Sequence, residues 1–314
     1  MKRYIVRIFI SVVCAGFLFP AAVSAAPGGE AMPFARIARD PVSAAMGGTG
    51  VASTSASAYA SFRNAAAIPY AENTLDVAAG YMNWQPSVSP VQDISAGAAW
   101  NIAGKFGIAA GFSYGACGKY DIMDASGKAA GSFSPSQVQA GLGLAWKFLP
   151  FLSLGANVKY LGNTLAERQS YGSVASDIFL MTKVAGLKAA VGVSSLGSKV
   201  KSASGAGFSL PASATLGLGY GLNAGKRHGV DVLVDADYYF SGAFAAAAGA
   251  SYTYNDLVSV RAGYRYGGES VIPSFASVGA GVKFFGVHID IAYIIATGDS
   301  PLRNTFSVGA GFAF

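Results

Sequence analysis

His228 and His288 are the two residues through which this chain would run acid–base chemistry at neutral pH, because unperturbed imidazole alone among side chains titrates there. His228 follows Lys226 and Arg227 in an expected turn, and no local motif supports a serine nucleophile with a histidine and a third group. His288 and Asp290 stand at i, i+2, on one face of an expected strand, where they read as polar packing or as a small site. Asp231, Asp235 and Asp237 share a face of another strand, and Arg261 and Arg265 share a face two strands further on. No His, Cys or Asp cluster has metal-ligand spacing, and Asp121, Asp124 and Ser126 lack the calcium-loop pattern and read as turn residues. Gly141-Leu142-Gly143, Gly217-Leu218-Gly219 and Gly309-Ala310-Gly311 alternate along strand faces instead of opening a helix. Gly221 to Lys226 is one residue short of a phosphate loop. The inventory predicts no enzyme, no metal and no cofactor.

The elements that would position these residues follow from composition. The chain has 314 residues, of which 52% are hydrophobic and 12% charged, and its mean hydropathy is +0.41. A soluble domain carries about 25% charged residues, so a water-coated globule is excluded, and disorder is excluded by the same numbers. Lys2, Arg3 and Arg7, then the 12 apolar residues from Ile8 to Phe19, then Val23-Ser24-Ala25 read as a secretory signal peptide over residues 1–25. The stretch is short of the roughly 20 residues of a spanning helix, and Cys14 lacks the small neighbour expected of a lipidated residue. Removing three basic residues from 22 leaves 19 against 16 acidic, a net of about +3. That balance is too small and too dispersed to imply nucleic acid. Only Cys117 then remains, which excludes an internal disulfide.

Past the leader no run of 18 apolar residues occurs, and the apolar period is two. Val287, Ile289, Ile291, Tyr293 and Ile295 alternate with His288, Asp290 and Ala292. The same pattern runs through Val258–Tyr266, Leu152–Tyr160 and Phe306–Phe314. Strands of about ten residues with one face for hydrocarbon and one small or polar are what a transmembrane β-barrel requires, and closure spares its backbone groups from lipid. A soluble sandwich would also alternate, but it would show Lys, Glu and Asp where this chain shows Gly, Ala and Ser. The expected fold class is all-β, a 14-stranded antiparallel transmembrane β-barrel in the bacterial outer membrane, with residues 74–314 as the barrel. Its strands are 74–84, 93–102, 105–115, 134–147, 151–164, 172–185, 187–197, 211–223, 228–240, 244–254, 257–267, 274–284, 286–297 and 304–314. Connections alternate between long (116–133, 198–210) and short (Leu149-Pro150, Asn255-Asp256, Phe285-Gly286), as outer loops and periplasmic turns do; 221–228 is long for a turn and 241–243 short for a loop. Trp84, Trp100, Trp146, Phe148 and Phe151 fall at strand ends, where interfacial girdles sit.

Residues 26–73 do not alternate and are expected to form an N-terminal hatch or plug, a flexible tail being the alternative. Asp231, Asp235, Asp237, Arg261 and Arg265 should then meet in the lumen and fasten this hatch through Arg36, Arg39 or Asp40. The stretch from Arg39 to Ala52, with Asp40, Gly47, Gly48 and Gly50, followed by Ala58 to Ala66 with Asn64, resembles the hatch of the PorV/PorQ family among FadL-like barrels of Bacteroidota; Asn64-Ala65-Ala66 stands where that family has asparagine, proline, alanine. Tyr120-Asp121 to Gly127 with Gly131-Ser132-Phe133 is similar to the family's third-strand loop, and Ser195-Leu196-Gly197 with Leu210-Pro211-Ala212 to its central hairpin. The terminal Phe312-Ala313-Phe314 resembles the signal read by the outer-membrane assembly machinery. The resemblance implies a scaffold or cargo-interacting barrel linked to type IX secretion, with secretion subunits or cargo as partners. Through the wider FadL group it implies passive transport of a hydrophobic ligand.

Overall fold

A computed structural model describes residues 29–124, 126–167, 169–202, 205–225, 227–267 and 272–314. The expected signal peptide and residues 26–28 of the expected hatch lie outside them. The strands in chain order are β1 (Leu75–Trp84), β2 (Val91–Ile102), β3 (Phe106–Cys117), β4 (Tyr120–Met123), β5 (Ala129–Phe133), β6 (Ser136–Leu149), β7 (Leu152–Ala166), β8 (Gln169–Val184), β9 (Leu187–Gly197), β10 (Val200–Lys201), β11 (Gly207–Phe208), β12 (Ser213–Ala224), β13 (His228–Tyr239), β14 (Phe244–Tyr254), β15 (Val258–Tyr266), β16 (Phe275–Phe284), β17 (Val287–Ile295) and β18 (Phe306–Ala313). Fourteen of these close into one antiparallel barrel, in which β18 returns to β1 with Val77 opposite Phe312 and Tyr81 opposite Val308. Each expected segment coincides with one barrel strand.

Two differences concern the connections. The long outer loops build hairpins of their own, β4 with β5 and β10 with β11, which stand apart from the wall, so β9 pairs directly with β12. Tyr120 and Phe133 face each other across the first hairpin at 5.9 Å, which gives a loop read as irregular its own small apolar contact. β12 runs to Ala224, so the turn expected over 221–228 shortens to three residues.

The alternation places side chains as the period requires. Val287, Ile289, Ile291, Tyr293 and Ile295 are 43–53% exposed on the outer surface, a face suited to lipid, while Asp290, Ala292 and Ile294 turn inward and are buried. The first barrel strand starts, and the last one finishes, at the end that carries the short turns. Two of these turns, Ala185-Gly186 between Val184 and Leu187 and Phe285-Gly286 between Phe284 and Val287, have positive φ at both residues. That is the geometry whose twist suits a two-residue hairpin. Trp100, Trp146, Phe148 and Phe151 are exposed on the wall as a girdle would be, but Trp84 is not. It is 8% exposed and points into the lumen, because Asn83 precedes it at the outer end of β1 and strand alternation sends Met82 and Trp84 to the inner face.

Residues 29–73 lie against the inner face of the wall. They form a short helix, α1 (Pro41–Ala45), and three 3-10 turns at Pro33–Arg36, Ser57–Phe62 and Ala65–Tyr70. Helix α1 packs on β15 to β18, whereas the two later turns pack on strands from β1 to β8. The segment therefore crosses the lumen from one side of the barrel to the other.

Candidate functional site

The segment lies close to the wall because the wall is bare beneath it. A Cβ at Gly263 or Gly249 would collide with the backbone of Met46, one at Gly97 with the carbonyl of Ala58, and one at Gly155 with the amide of Ala66. These glycines sit on β15, β14, β2 and β7, so backbone meets backbone around much of the circumference. Taken as strand faces alone, the alternating glycines hide this; their restriction to the inward face was the signal that another chain segment packs there.

Side chains of the wall then fasten the segment. The Asp235 carboxylate accepts from the amides of Gly50 (2.7 Å) and Val51 (3.1 Å). Ser277 accepts from Gly47 N at 2.8 Å. Asp76 accepts from Ser57 Oγ (2.8 Å) and Ala58 N (3.0 Å), and Ser153 donates to the Ala66 carbonyl at 2.7 Å. Within the segment, Asp40 caps α1 through Ser43 N at 2.7 Å, and Gly47 and Gly48 turn the chain at φ 74° and 80°. Asn64 accepts from Ala66 N at 2.9 Å and donates to the Val51 carbonyl at 2.8 Å. Asn64 thus starts the last turn by side-chain capping.

The charged residues singled out from the sequence line the lumen in separate pairs. Arg261 meets Asp290 at 2.6 Å, and His288 bridges Asp290 (3.0 Å) and Asp76 (3.5 Å). Arg265 meets Asp237 at 3.3 Å and the Tyr239 hydroxyl at 3.0 Å. Asp231 pairs with Lys188 at 2.6 Å. The expected fastening through Arg36, Arg39 or Asp40 is not how these residues act. Asp235 holds backbone amides, Arg39 meets Asp93 at 2.6 Å, Arg36 pairs with Glu30, and Asp40 lies 3.7 Å from Arg63. Asp93, and the fully buried pair Lys159–Asp177 at 2.8 Å, escaped the reading because partner choice across a barrel depends on the stagger of its strands, which periodicity does not reveal.

Acid–base and nucleophilic chemistry find no assembly among the described residues. Gly111-Phe112-Ser113-Tyr114-Gly115 does spell G-x-S-x-G, yet it runs straight through β3 with Ser113 buried, and a nucleophile elbow needs a strand-to-helix turn. His228 starts β13 and bonds Tyr252 at 2.8 Å. A cavity of about 10 Å³ among Asp40, Tyr59, Asp76 and His288 has room for one water, and burial pushes the Tyr59 phenol up to about 12. A larger depression of about 560 Å³, lined by Ile108, Leu144, Trp146 and Leu154, lies on the lipid-facing wall. Phe312 and Phe314 are exposed at the periplasmic edge, and the last residue extends the seam by accepting from Leu75 N at 2.9 Å.

At the outer end of the lumen the lining changes character. Met82, Trp84, Val91, Ile272, Phe275, Ile294 and Leu302 form one buried apolar cluster. Met32, Phe34, Leu161, Ala175 and Leu210 form a second, and Ile37 of the N-terminal segment packs against both. Ion pairs lie at and below this apolar zone, Arg265 standing opposite Phe275 in the sheet.

No family model and no curated protein matches the chain. Solved structures do. The Ralstonia pickettii toluene transporter TbuX aligns over 87% of this chain and 97% of its own at 14% identity, with a TM-score of 0.61. The Pseudomonas putida toluene transporter TodX aligns over 87% and 96% at 16% identity, TM-score 0.59. The monoaromatic hydrocarbon channel CymD aligns over 87% and 97% at 13% identity, TM-score 0.59. At such identities the likeness is one of architecture, and it carries no sign of the PorV/PorQ branch. What the chain shares with these proteins is the fold, a closed fourteen-stranded antiparallel barrel, and with it a place in the outer membrane.

Proposed function

We propose that this barrel is a passive channel for hydrophobic small molecules, received at the outer end of the lumen and released past residues 26–73, which serve as its hatch. The observation that carries the reading is the pair of apolar clusters joined at Ile37, which makes the outer end of the lumen an apolar zone large enough to receive a hydrophobic solute once its side chains part. Apolar surface of this kind lowers the free energy of a hydrophobic solute by about 25 cal/mol per Å² removed from water. The transport described for TbuX and TodX supports the same direction. Passage requires the fastened hatch to shift, since the segment fills the section between β2–β8 and β15–β18. Uptake of radiolabelled naphthalene by cells expressing the chain, against cells expressing an empty vector, tests the reading. Protein-dependent, energy-independent uptake supports it, and equal rates refute it.

The second reading, a scaffold or cargo-interacting barrel of type IX secretion, is favoured by the hatch motif around Asp40, Gly47, Gly48, Gly50 and Asn64 and by the two ordered outer hairpins. Recovery of secretion subunits with the barrel from native outer membrane would support it over transport.

A further inference from the structure

Charged side chains border the apolar zone at the outer end of the lumen. Four cations lie at or just below it in the described lumen, and each already faces a carboxylate. Arg39 meets Asp93 at 2.6 Å and also donates to the Phe34 carbonyl at 2.9 Å. Arg265 meets Asp237 at 3.3 Å. Lys159 meets Asp177 at 2.8 Å with both side chains almost fully buried. Arg36 pairs with Glu30, and its Cζ lies over the Tyr239 ring, 3.5 Å from the centroid. Four positive charges against four negative leave no surplus to receive an anion. Among the described residues, the cations of this end without a buried partner, Lys119, Lys128, Lys199, Lys201 and Arg303, stand exposed on the outer loops.

A ligand that carried a carboxylate into this zone would lose its hydration and gain no counter-charge, unless it displaced one of the four carboxylates. Uncompensated burial of a charge costs far more than a few extra methylenes return. An uncharged molecule incurs no such cost, and Phe34, Trp84 and Phe275, buried in the two clusters, are the aromatic side chains against which it would pack. We infer that the outer zone is selective for neutral apolar molecules and rejects their carboxylate counterparts of equal chain length. The inference rests on the transport reading above and narrows its substrate class.

The protein carries its own reporter. Trp84 sits within the zone, whereas Trp100 and Trp146 are 52% and 50% exposed on the outer wall. In a W100F/W146F background reconstituted in liposomes, emission from Trp84 is titrated with 1-dodecanol and with laurate at pH 8, which differ in one charge. The expected result is a saturable change with dodecanol and at least tenfold weaker binding of laurate. Asp237→Asn leaves Arg265 without its carboxylate and should raise laurate binding at least tenfold. Asp93→Asn frees Arg39 and provides an independent second variant, each checked for heat-modifiable migration of the folded barrel. Laurate binding as tightly as dodecanol to the parent would overturn the charge selectivity and leave the apolar site standing. If dodecanol gives no saturable change, the transport reading falls, and the selectivity with it.

Discussion

Replacing Asp235 tests how the hatch is held. Its Oδ2 accepts from two backbone amides, the buried Gly50 at 2.7 Å and the half-buried Val51 at 3.1 Å. A hydrogen bond to a charged group contributes about 1.5–3 kcal/mol, so Asp235→Ala removes roughly 3–5 kcal/mol from docking of this stretch and leaves two amides without an acceptor. At about 1.4 kcal/mol per factor of ten, the undocked population should rise roughly a hundredfold to a few thousandfold. Asp235→Asn keeps an acceptor but loses the charge, and should fall between the two. Trypsin provides the assay, because Arg39 and Arg63 flank the stretch and are shielded while it is docked. Cleavage at these two residues, followed by mass spectrometry on liposome-embedded protein, tracks the open population when reclosing is fast. Migration of the unheated barrel on gels shows that the wall is intact. Cleavage in Asp235→Ala within twofold of the parent would refute the reasoning, since neighbouring contacts such as Gly47 to Ser277 would then suffice alone.

Three further outcomes are expected. Arg261→Ala strips the counter-charge from Asp290 beside His288 and should lower the heat-modification midpoint, breaking a buried pair being worth about 3–5 kcal/mol; it should also raise small-solute permeability, and unchanged liposome swelling would count against the pairing. Gly263→Val drives a side chain into the backbone of Met46 and Gly47 and should loosen the hatch in the trypsin assay, whereas Ala262→Val, next to it but facing lipid, should leave cleavage unchanged. In the outer hairpin, the Asp124 carboxylate accepts from the Ser126 hydroxyl (2.6 Å) and from the amides of Ser126 and Lys128, which hold its carboxyl below the usual range. A depressed folded value means that the turn's order is present above the ordinary carboxylate pKa and is lost as pH falls through the lowered one. Protease sensitivity of the 120–133 hairpin should therefore be constant above about pH 4 and rise only in stronger acid, while Asp124→Asn should lose this pH dependence.

Most of the wall was legible because one rule, the period of two, acts on every strand independently. Val287 to Ile295 needs no knowledge of its neighbours to declare which side meets lipid. The lumen was only partly legible, for the opposite reason. Whether Arg39 finds Asp93 or Asp235 depends on the stagger between strands far apart in sequence. Asp235, the one wall carboxylate expected to hold the hatch that does so, works through backbone amides that carry no sequence signature. Trp84 misled because strand ends supply both girdle residues and lumen residues, and parity with Asn83 decides between them. The loop hairpins were missed since four residues of β4 and two of β10 are too short to establish any period.

His288 reaches Asp76 by passing over Gly311, where a Cβ would strike its imidazole. Gly311 belongs to β18, Asp76 to β1 and His288 to β17, so one side chain clasps the C-terminal strand from inside and joins the strands on either side of it. The ladder that closes the cylinder is thereby riveted near its periplasmic end, where Asp76 also grips the hatch. Toward the other end, where Asn83 faces Phe306, no ion pair among the described residues spans β18 in this way. If β1 and β18 ever part sideways into the membrane, the tear starts at the outer leaflet and stops at the rivet, which makes the seam a one-ended zip and not a hinge.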